Sequence, residues 1–195
     1  MIVLASQSPR RQELMRLFGV DFTIHTADID ETMDPARPPA EEVARVSRRK
    51  AEAVAEACGP EDIIVAADTI VVIGGRVLGK PHTKQEAFGM LRTLSGRTHE
   101  VLTGLCVRRG AQISSEVVST RVTFRPLSDG EIRAYIATGE PMDKAGSYGI
   151  QRYGAMFVSG IEGDYFSVMG LPVCTLAQRL RAFGVPILPE EGSAV

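Results

Sequence analysis

The stretch LASQSPRRQEL, near the start of the chain, joins a short apolar strand directly to the beginning of a helix. Ser8 is predicted to cap this helix, with Pro9 at its first position. A helix N-terminus binds anions because its N–H groups are unpaired and carry partial positive charge. Two arginines here oppose that charge unless an anion binds. We therefore predict that Ser6, Ser8, Arg10 and Arg11 bind phosphate; the alternative is a solvated helix start that Ser8 merely caps.

Lys50 lies on the apolar face of a second predicted helix, which spans about residues 40–58. On a helical wheel of about 100° per residue, Val46 and Val54 lie on the same stripe, a turn before and a turn after it. A lysine in this position must either reach solvent past its neighbours or bind an anion. Its mid-helix position favours anion binding in a cleft, and methionine in its place is expected to preserve stability.

Asp68 interrupts the apolar strand IIVAADTIVVI, residues 63–73. A buried carboxylate is unfavourable unless it contacts a cation, a metal ion or several hydrogen-bond donors. One interpretation is a structural carboxylate that backbone N–H groups satisfy. The following two-glycine turn predicts a hairpin that places Lys80 opposite Thr69, one residue from Asp68. A lysine near the carboxylate favours a functional interpretation.

The acidic stretch DIDE follows another predicted strand and supplies further carboxylate oxygens from Asp30 and Glu31. The sequence leaves open which of these two residues approaches a metal ion. Carboxylates bind hard divalent cations, whereas arginine and lysine bind phosphate. Carboxylates and basic residues together are typical of enzymes that hydrolyse nucleotides.

The elements that carry these residues alternate between strand and helix at first and then form a long meander, which predicts a mixed α/β protein. A further hairpin is expected about Gly163. The length suits one domain, residues 1–195. A net charge of -2 argues against a dedicated nucleic-acid binder. No signal peptide and no apolar run of about 18 residues is evident, so we expect a cytoplasmic protein without a membrane partner. The three cysteines, Cys58, Cys106 and Cys174, are expected to be buried reduced thiols.

The chain resembles the Maf family, septum-formation-inhibitor-like nucleoside triphosphate pyrophosphatases. The matching pieces, in order, are LASQSPRRQEL, DIDE, SRRKAEAV, AADTIVV, LGKP, MLRTLSGRTHEVLTG, EPMDKAGSYGIQ and GLPV. The resemblance implies hydrolysis of a nucleoside triphosphate to the monophosphate and pyrophosphate, with Mg²⁺ or Mn²⁺. It implies a fold similar to that of inosine triphosphate pyrophosphatases: a long twisted mixed sheet with flanking helices in two lobes and a central cleft. Dimers are common in the family, so a homodimer is one expected assembly.

The resemblance also implies roles for individual residues. Asp68 would accept the proton of the attacking water, and Glu31 with Asp68 would lie near the metal ion. Lys80 would act with these two carboxylates. The residues implied around the triphosphate are Arg10, Arg11, Lys50 and Lys80.

The family divides according to the nucleotide base. The chain resembles the subgroup that acts on dTTP and UTP at Arg10, Thr69 and Gln151. Gln151 suits the imide edge of uracil or thymine because its amide both donates and accepts; the alternative is a packing role in its loop. Pyrimidine members usually have glycine after this glutamine, whereas this chain has Arg152, which could alter base selection or simply point to solvent.

The resemblance includes the removal of modified pyrimidine nucleotides as one role for such an enzyme. Two other functions remain open at this stage. One is a non-enzymatic nucleotide-binding regulator of cell division, and the other is a pyrophosphatase that prefers 7-methyl-GTP. The complete set of acid, lysine and arginine favours the enzyme, because a sensor needs phosphate-binding residues but no base.

Overall fold

The computed structural model describes residues 1–187, so the end of the predicted domain, residues 188–195, lies outside the described residues. The strands are β1 (Ile2–Leu4), β2 (Phe22–Ile24), β3 (Ile63–Ile73), β4 (Arg76–Leu78), β5 (Thr98–Arg109), β6 (Gln112–Phe124) and β7 (Val158–Glu162). The helices are α1 (Pro9–Arg16), α2 (Pro39–Ala55), α3 (Lys84–Leu94), α4 (Asp129–Ala137), α5 (Tyr165–Met169) and α6 (Val173–Ala182). Three short 3₁₀ turns lie between α4 and β7: Glu140–Asp143, Ala145–Ser147 and Arg152–Phe157.

The strands form one mixed sheet with the order β2-β1-β3-β5-β6-β7, and β4 pairs with β3. β1 runs parallel to both β2 and β3, whereas the β3–β4 and β6–β7 pairs are antiparallel. The predicted mixed α/β class is therefore confirmed. The predicted hairpin is also confirmed, because Ile73 pairs with Arg76 across the two glycines.

The chain divides into two compact units. Three of the four divisions fall within the long strands β3, β5 and β6, and the fourth directly follows helix α5. The first unit contains Met1–Asp68, Thr103–Val118 and the chain from Gly170 onward. The second contains Thr69–Leu102 and Ser119–Met169.

The first unit is built around α2, whose buried face packs on the parallel strands. Its central cluster of buried side chains comprises Val3, Ala5, Ala51, Val54, Ile64, Ala66 and Cys106. Gly104 of β5 permits the close approach of the helix, since a Cβ atom there would lie 2.5 Å from the carbonyl oxygen of Val43. This contact fixes the position of α2 on the sheet.

The second unit has an aromatic core. Phe124 contacts Tyr148 with ring centroids 4.7 Å apart, and Tyr135 contacts Phe157 at 5.0 Å. His99 packs edge-on against Phe124, and its Nε2 lies 2.8 Å from the Tyr148 hydroxyl. These contacts join β5 and β6 to α4 and to the segment that follows it.

Some sequence-based expectations are wrong. A hairpin was expected at Gly163, but Gly163 instead links β7, which pairs with β6, to helix α5. Cys174 is exposed and Cys58 only partly buried, whereas Cys106 is buried as expected. The second predicted helix ends at Ala55 and not at Cys58. Within residues 1–187, no helix combines the length and apolar character needed to span a membrane.

Candidate active site

Lys50 joins two carboxylates in the first unit. Its Nζ lies 2.7 Å from Oδ1 of Asp68 and 3.0 Å from Oε1 of Glu31. The side chains of Lys50 and Asp68 are only 14% and 12% exposed, whereas that of Glu31 is 54% exposed. The two mostly buried charges compensate each other, and the open Glu31 leaves the cluster accessible from one side.

The local sequence explains why Lys50 and Asp68 meet. The buried face of α2 includes Val43, Val46 and Val54, and Lys50 lies on the same stripe. Asp68 lies in β3, most of whose residues are buried. A helix packed on a strand by its apolar stripe therefore brings the one lysine of that stripe against the one carboxylate of that strand.

Two serines organise the start of α1. Ser8 is the N-cap residue, and its Oγ accepts from the backbone N–H of Arg11. Ser6 Oγ accepts from the backbone N–H of Ser8 at 3.2 Å and from Nη1 of Arg11 at 3.3 Å. The predicted capping role of Ser8 is therefore confirmed, and Ser6 is an acceptor for the same helix start.

Arg11 connects this helix start to the carboxylates and to a distant part of the chain. Its Nε donates to the carbonyl oxygen of Gly170 at 2.8 Å. Burial lowers the pKa of Arg11, and the positive charge of Arg10 lowers it further. The negative charges of Asp68 and Glu31 raise it. Arg11 therefore lies close enough to Asp68, Glu31 and Arg10 to feel their charges.

The acidic loop is tethered to α2 by two arginines. Arg49 Nη1 donates to the carbonyl oxygen of Asp30 at 2.8 Å, and Arg45 Nη2 donates to that of Thr32 at 2.8 Å. The carboxylate of Asp30 accepts from the N–H of Thr32 within the loop. Of the two acidic residues left open by the sequence, Glu31 is therefore the one that contacts Lys50.

Glu42 holds Arg45 and the end of the same loop. This carboxylate is almost fully buried, pairs with Arg45 at 2.6 Å and accepts from the N–H of Asp34 at 2.8 Å. The hydrogen bond from Arg45 and the one from the Asp34 N–H lower the pKa of Glu42 to about 2. Glu42 therefore stays ionised at any neutral pH and fixes Arg45 for its contact with the loop.

The remaining predicted site residues belong to the second unit. Thr69 follows Asp68 directly in β3 and is partly buried. Lys80 is exposed, two residues after the end of β4. Gln151 is partly buried at the start of a 3₁₀ turn. Arg152, the exposed residue after it, has φ +53°, a conformation that glycine adopts more readily than arginine.

The structure thus brings together Ser6, Arg11, Glu31, Lys50 and Asp68 in the first unit. Thr69, Lys80 and Gln151 lie in the second unit. Sequence reasoning missed the direct Lys50–Asp68 pair and the tethering roles of Glu42, Arg45 and Arg49. The only local signal for the pair was that each residue carries a charge within an otherwise apolar pattern. Arg45 and Arg49 left no such signal, because they lie on the polar side of α2.

The carboxylates of Glu31 and Asp68 are of the kind that binds hard divalent cations. Both approach the same ammonium group, so their oxygens already surround one cation. Among residues 1–187, no three His, Cys, Asp or Glu side chains form a group that could hold a metal ion. The two carboxylates of Glu31 and Asp68 fit Mg²⁺, which proteins often bind with one or two carboxylates while substrate phosphates and water supply the other oxygens.

Comparison with solved structures identifies a related fold. A HAM1 protein from Coxiella burnetii aligns with a TM-score of 0.50 and 14% sequence identity, covering 93% of this chain and 98% of that chain. At this identity the likeness concerns the fold alone. It agrees with the expected mixed sheet and flanking helices.

Comparison with curated proteins gives much closer relatives. A dTTP/UTP pyrophosphatase from Anaeromyxobacter dehalogenans (strain 2CP-C) is 49% identical over 194 residues, which cover 97% of each chain. Proteins of the same name from Pelotomaculum thermopropionicum and Bacillus pumilus are 48% and 47% identical, covering 96% and 94% of this chain and 98% and 97% of their own. The family model described as Maf-like protein matches residues 1–183. The chain therefore belongs to the Maf-like protein family, as its motifs predicted.

Proposed function

We propose that this protein is a nucleoside triphosphate pyrophosphatase that converts dTTP and UTP to the monophosphate and pyrophosphate. The observation that carries the proposal is the contact of Lys50 with Asp68 and Glu31, beside the arginine-bearing start of α1. A protein that only binds nucleotides needs the basic groups but gains nothing from two carboxylates facing them. The names of the relatives, which are about half identical, support the choice of dTTP and UTP.

The triphosphate is bound, in this proposal, by the helix start and the lysines. Arg10 and Arg11 offer guanidinium groups, and Ser6 and Ser8 lie at the positive end of α1. Lys50 and Lys80 supply two further positive charges. Phosphate oxygens compete with Asp68 for Lys50, so substrate binding leaves the Asp68 carboxylate free to take a proton.

Asp68 is the proposed base. Its carboxylate accepts a proton from a water molecule while the water oxygen bonds to the α-phosphorus. The bond from the α-phosphorus to its bridging oxygen breaks, and pyrophosphate leaves with the electron pair. Lys50 and Lys80 stabilise the negative charge that develops on this leaving group. Glu31 and Asp68 are the residues that would hold Mg²⁺ or Mn²⁺, whose chemistry here is to neutralise charge on the triphosphate.

Base selection is assigned to Thr69, Gln151 and Arg10. The side-chain amide of Gln151 can donate to a carbonyl oxygen of uracil or thymine and accept from the ring N–H. We extend this selection to modified pyrimidines that keep the imide edge.

Turnover of a panel of triphosphates tests the function. Phosphate release is measured with added inorganic pyrophosphatase, with and without Mg²⁺, on UTP, dTTP, CTP and 7-methyl-GTP. Signal that requires the added pyrophosphatase identifies pyrophosphate as the product and excludes release of the terminal phosphate. Absence of turnover on every nucleotide would favour the non-enzymatic regulator, and preference for 7-methyl-GTP would favour the other subgroup.

Replacement of the base gives the first prediction. Asp68→Asn should lower turnover by about 10²–10⁴-fold, because proton acceptance is lost. The phosphate-binding cations remain, so a non-hydrolysable UTP analogue should still raise the melting temperature. Asp62→Asn is the matched control, since Asp62 directly precedes β3 in the same unit. Turnover of Asp68→Asn near that of the control would remove Asp68 from the mechanism.

A further inference from the structure

Gln151 lies in a loop whose two ends touch each other. A Cβ atom on Gly154 would lie only 2.1 Å from the carbonyl oxygen of Gly149. No side chain fits at residue 154, so the two glycines bring the ends of the loop into backbone contact. Gln151 and Arg152, with its φ of +53°, lie between them. The loop is therefore short and closed, and small shifts of its ends move Gln151.

Glu140 binds the second end of this loop. Its Oε1 accepts from the N–H of Gly154 at 3.2 Å, and its Oε2 accepts from the N–H of Tyr153 at 3.3 Å. Charged acceptors form stronger hydrogen bonds than neutral ones, so the carboxylate is well suited to hold two consecutive N–H groups. Lys144 Nζ fixes the backbone of Glu140 in turn, donating to its carbonyl oxygen at 2.6 Å.

Tyr135 of α4 joins Glu140 to the first end of the loop. Its hydroxyl donates to Oε1 of Glu140 at 3.0 Å and accepts from the N–H of Gly149 at 3.1 Å. The ring is buried, and it packs edge-on against Phe157. Burial raises the pKa of Tyr135 above its ordinary value, so the hydroxyl keeps its proton and remains a donor. One hydroxyl and one carboxylate thus hold both ends of the loop.

We propose that Tyr135 and Glu140 are positioning residues that set the place of Gln151 and thereby the choice of nucleotide base. The proposal rests on the proposed function, in which Gln151 reads the base. Neither residue needs to touch the nucleotide. A recognition amide discriminates only when its donor and acceptor meet their partners, so a loosened loop loses selectivity before it loses its fold.

Two variants and one control test the proposal. Tyr135→Phe removes the hydroxyl and keeps the ring, and Glu140→Gln replaces an acceptor oxygen by an NH₂ group that faces N–H donors. Glu131→Gln is the control. Glu131 lies in the same helix as Tyr135, accepts from Ser128 and Arg125, and has no part in the loop. The control thus weakens a carboxylate network of the same unit elsewhere.

The decisive readout is the ratio of kcat/KM for UTP to that for CTP, whose base carries an amino group where uracil has a carbonyl. We expect the ratio to fall about 10- to 100-fold in Tyr135→Phe and Glu140→Gln, mainly through a higher KM for UTP. Glu131→Gln should keep the wild-type ratio even where its melting temperature falls. Hydrogen exchange at the amides of Gly149, Tyr153 and Gly154 should accelerate in the two loop variants alone.

The outcomes separate this proposal from the function on which it rests. If the wild type prefers UTP and both loop variants keep that preference, the positioning role is overturned and the function stands. If the wild type turns over UTP and CTP equally, the proposed base selection by Gln151 and the positioning role fall together, whereas absence of turnover on every nucleotide overturns the pyrophosphatase itself. Unchanged exchange at the three amides in both variants would also overturn the positioning role.

Discussion

The ammonium group of Lys50 contacts two carboxylates, so its removal is expected to destabilise the folded protein. Methionine fits the apolar stripe of α2, and on the sequence alone the replacement is expected to preserve stability. The structure reverses that expectation, because Asp68 would remain mostly buried without the cation that contacts it at 2.7 Å. Leaving a buried charge unpaired is more unfavourable than losing the pair as a whole.

Lys50→Met should therefore lower the free energy of unfolding at neutral pH by about 1–3 kcal/mol and remove activity. The double variant with Asp68→Asn should recover part of that stability, since the unpaired charge is gone. Lys84→Met, at an exposed position of α3, controls for the loss of a lysine. Urea unfolding of the wild type and of these three variants measures the change in the free energy of unfolding. Full stability of Lys50→Met alone would show that the pair contributes nothing to folding.

Arg11 likewise has a role that the sequence did not indicate. Both arginines of α1 were predicted to oppose the helix dipole and to be useful only to an anion. Arg11 instead donates to Gly170 and to Ser6. Its guanidinium is therefore a structural donor as well as a candidate phosphate contact, and its truncation is expected to affect stability as well as binding.

At the level of elements, α2 organises the carboxylates from both of its sides. Its buried face presents Lys50 to Asp68, and its polar side holds the acidic loop through Arg45 and Arg49. Glu42 completes this attachment by binding Arg45 and the N–H of Asp34. The placement of Glu31 thus depends on residues that make no contact with it.

Glu42→Gln should weaken this attachment and raise the Mg²⁺ concentration required for half-maximal activity, by about tenfold. The physical reason is that an amide binds Arg45 less strongly than a carboxylate does. Hydrogen exchange at the N–H of Asp34 should accelerate in the same variant. Glu52→Gln is the matched control, because Glu52 pairs with Arg48 on the exposed side of the same helix. Equal Mg²⁺ requirements in the two variants would contradict the tethering role.

For the whole molecule, the buried His99 predicts a loss of stability in mild acid. Burial lowers the pKa of His99 from 6.5 to about 4. Because the pKa is lower in the folded protein, folding favours the neutral ring. The folding stability that His99 contributes is therefore complete above pH 6.5 and decreases as the pH drops toward 4. Between pH 7 and pH 5 the loss amounts to about 2 kcal/mol. Glu42 and Glu131 have pKa values lowered to about 2, so their contribution to folding stability is lost at a lower pH than that of His99.

His99→Gln should remove this pH dependence, since glutamine can still bond to Tyr148 but does not titrate in this range. Urea unfolding at pH 7 and pH 5 measures the difference. The exposed His82 provides the control, and His82→Gln should retain the wild-type slope. The same slope in His99→Gln and in the wild type would assign the acid sensitivity to another group.

Short stretches of the sequence predicted the strands and helices well, but they did not predict contacts between residues that are distant in the chain. The apolar run of β3, the two-glycine turn and the register of Ile73 with Arg76 all follow from neighbouring residues. The hairpin expected at Gly163 was wrong because the partner of β7 is β6, which lies far back in the chain. The Lys50–Asp68 pair and the Arg11–Gly170 contact depend on packing, which no short stretch of sequence encodes. Contact of the site residues with a nucleotide stays a prediction.

The bond between Arg11 and Gly170 joins residues 159 positions apart, and the first unit includes the chain from Gly170 onward. During synthesis on the ribosome, Arg11 emerges long before its acceptor does. A nascent chain that stops short of Gly170 lacks one hydrogen-bond partner of α1, the helix that carries the proposed phosphate-binding arginines. Chains that terminate before Gly170 are thus expected to lack the proposed activity.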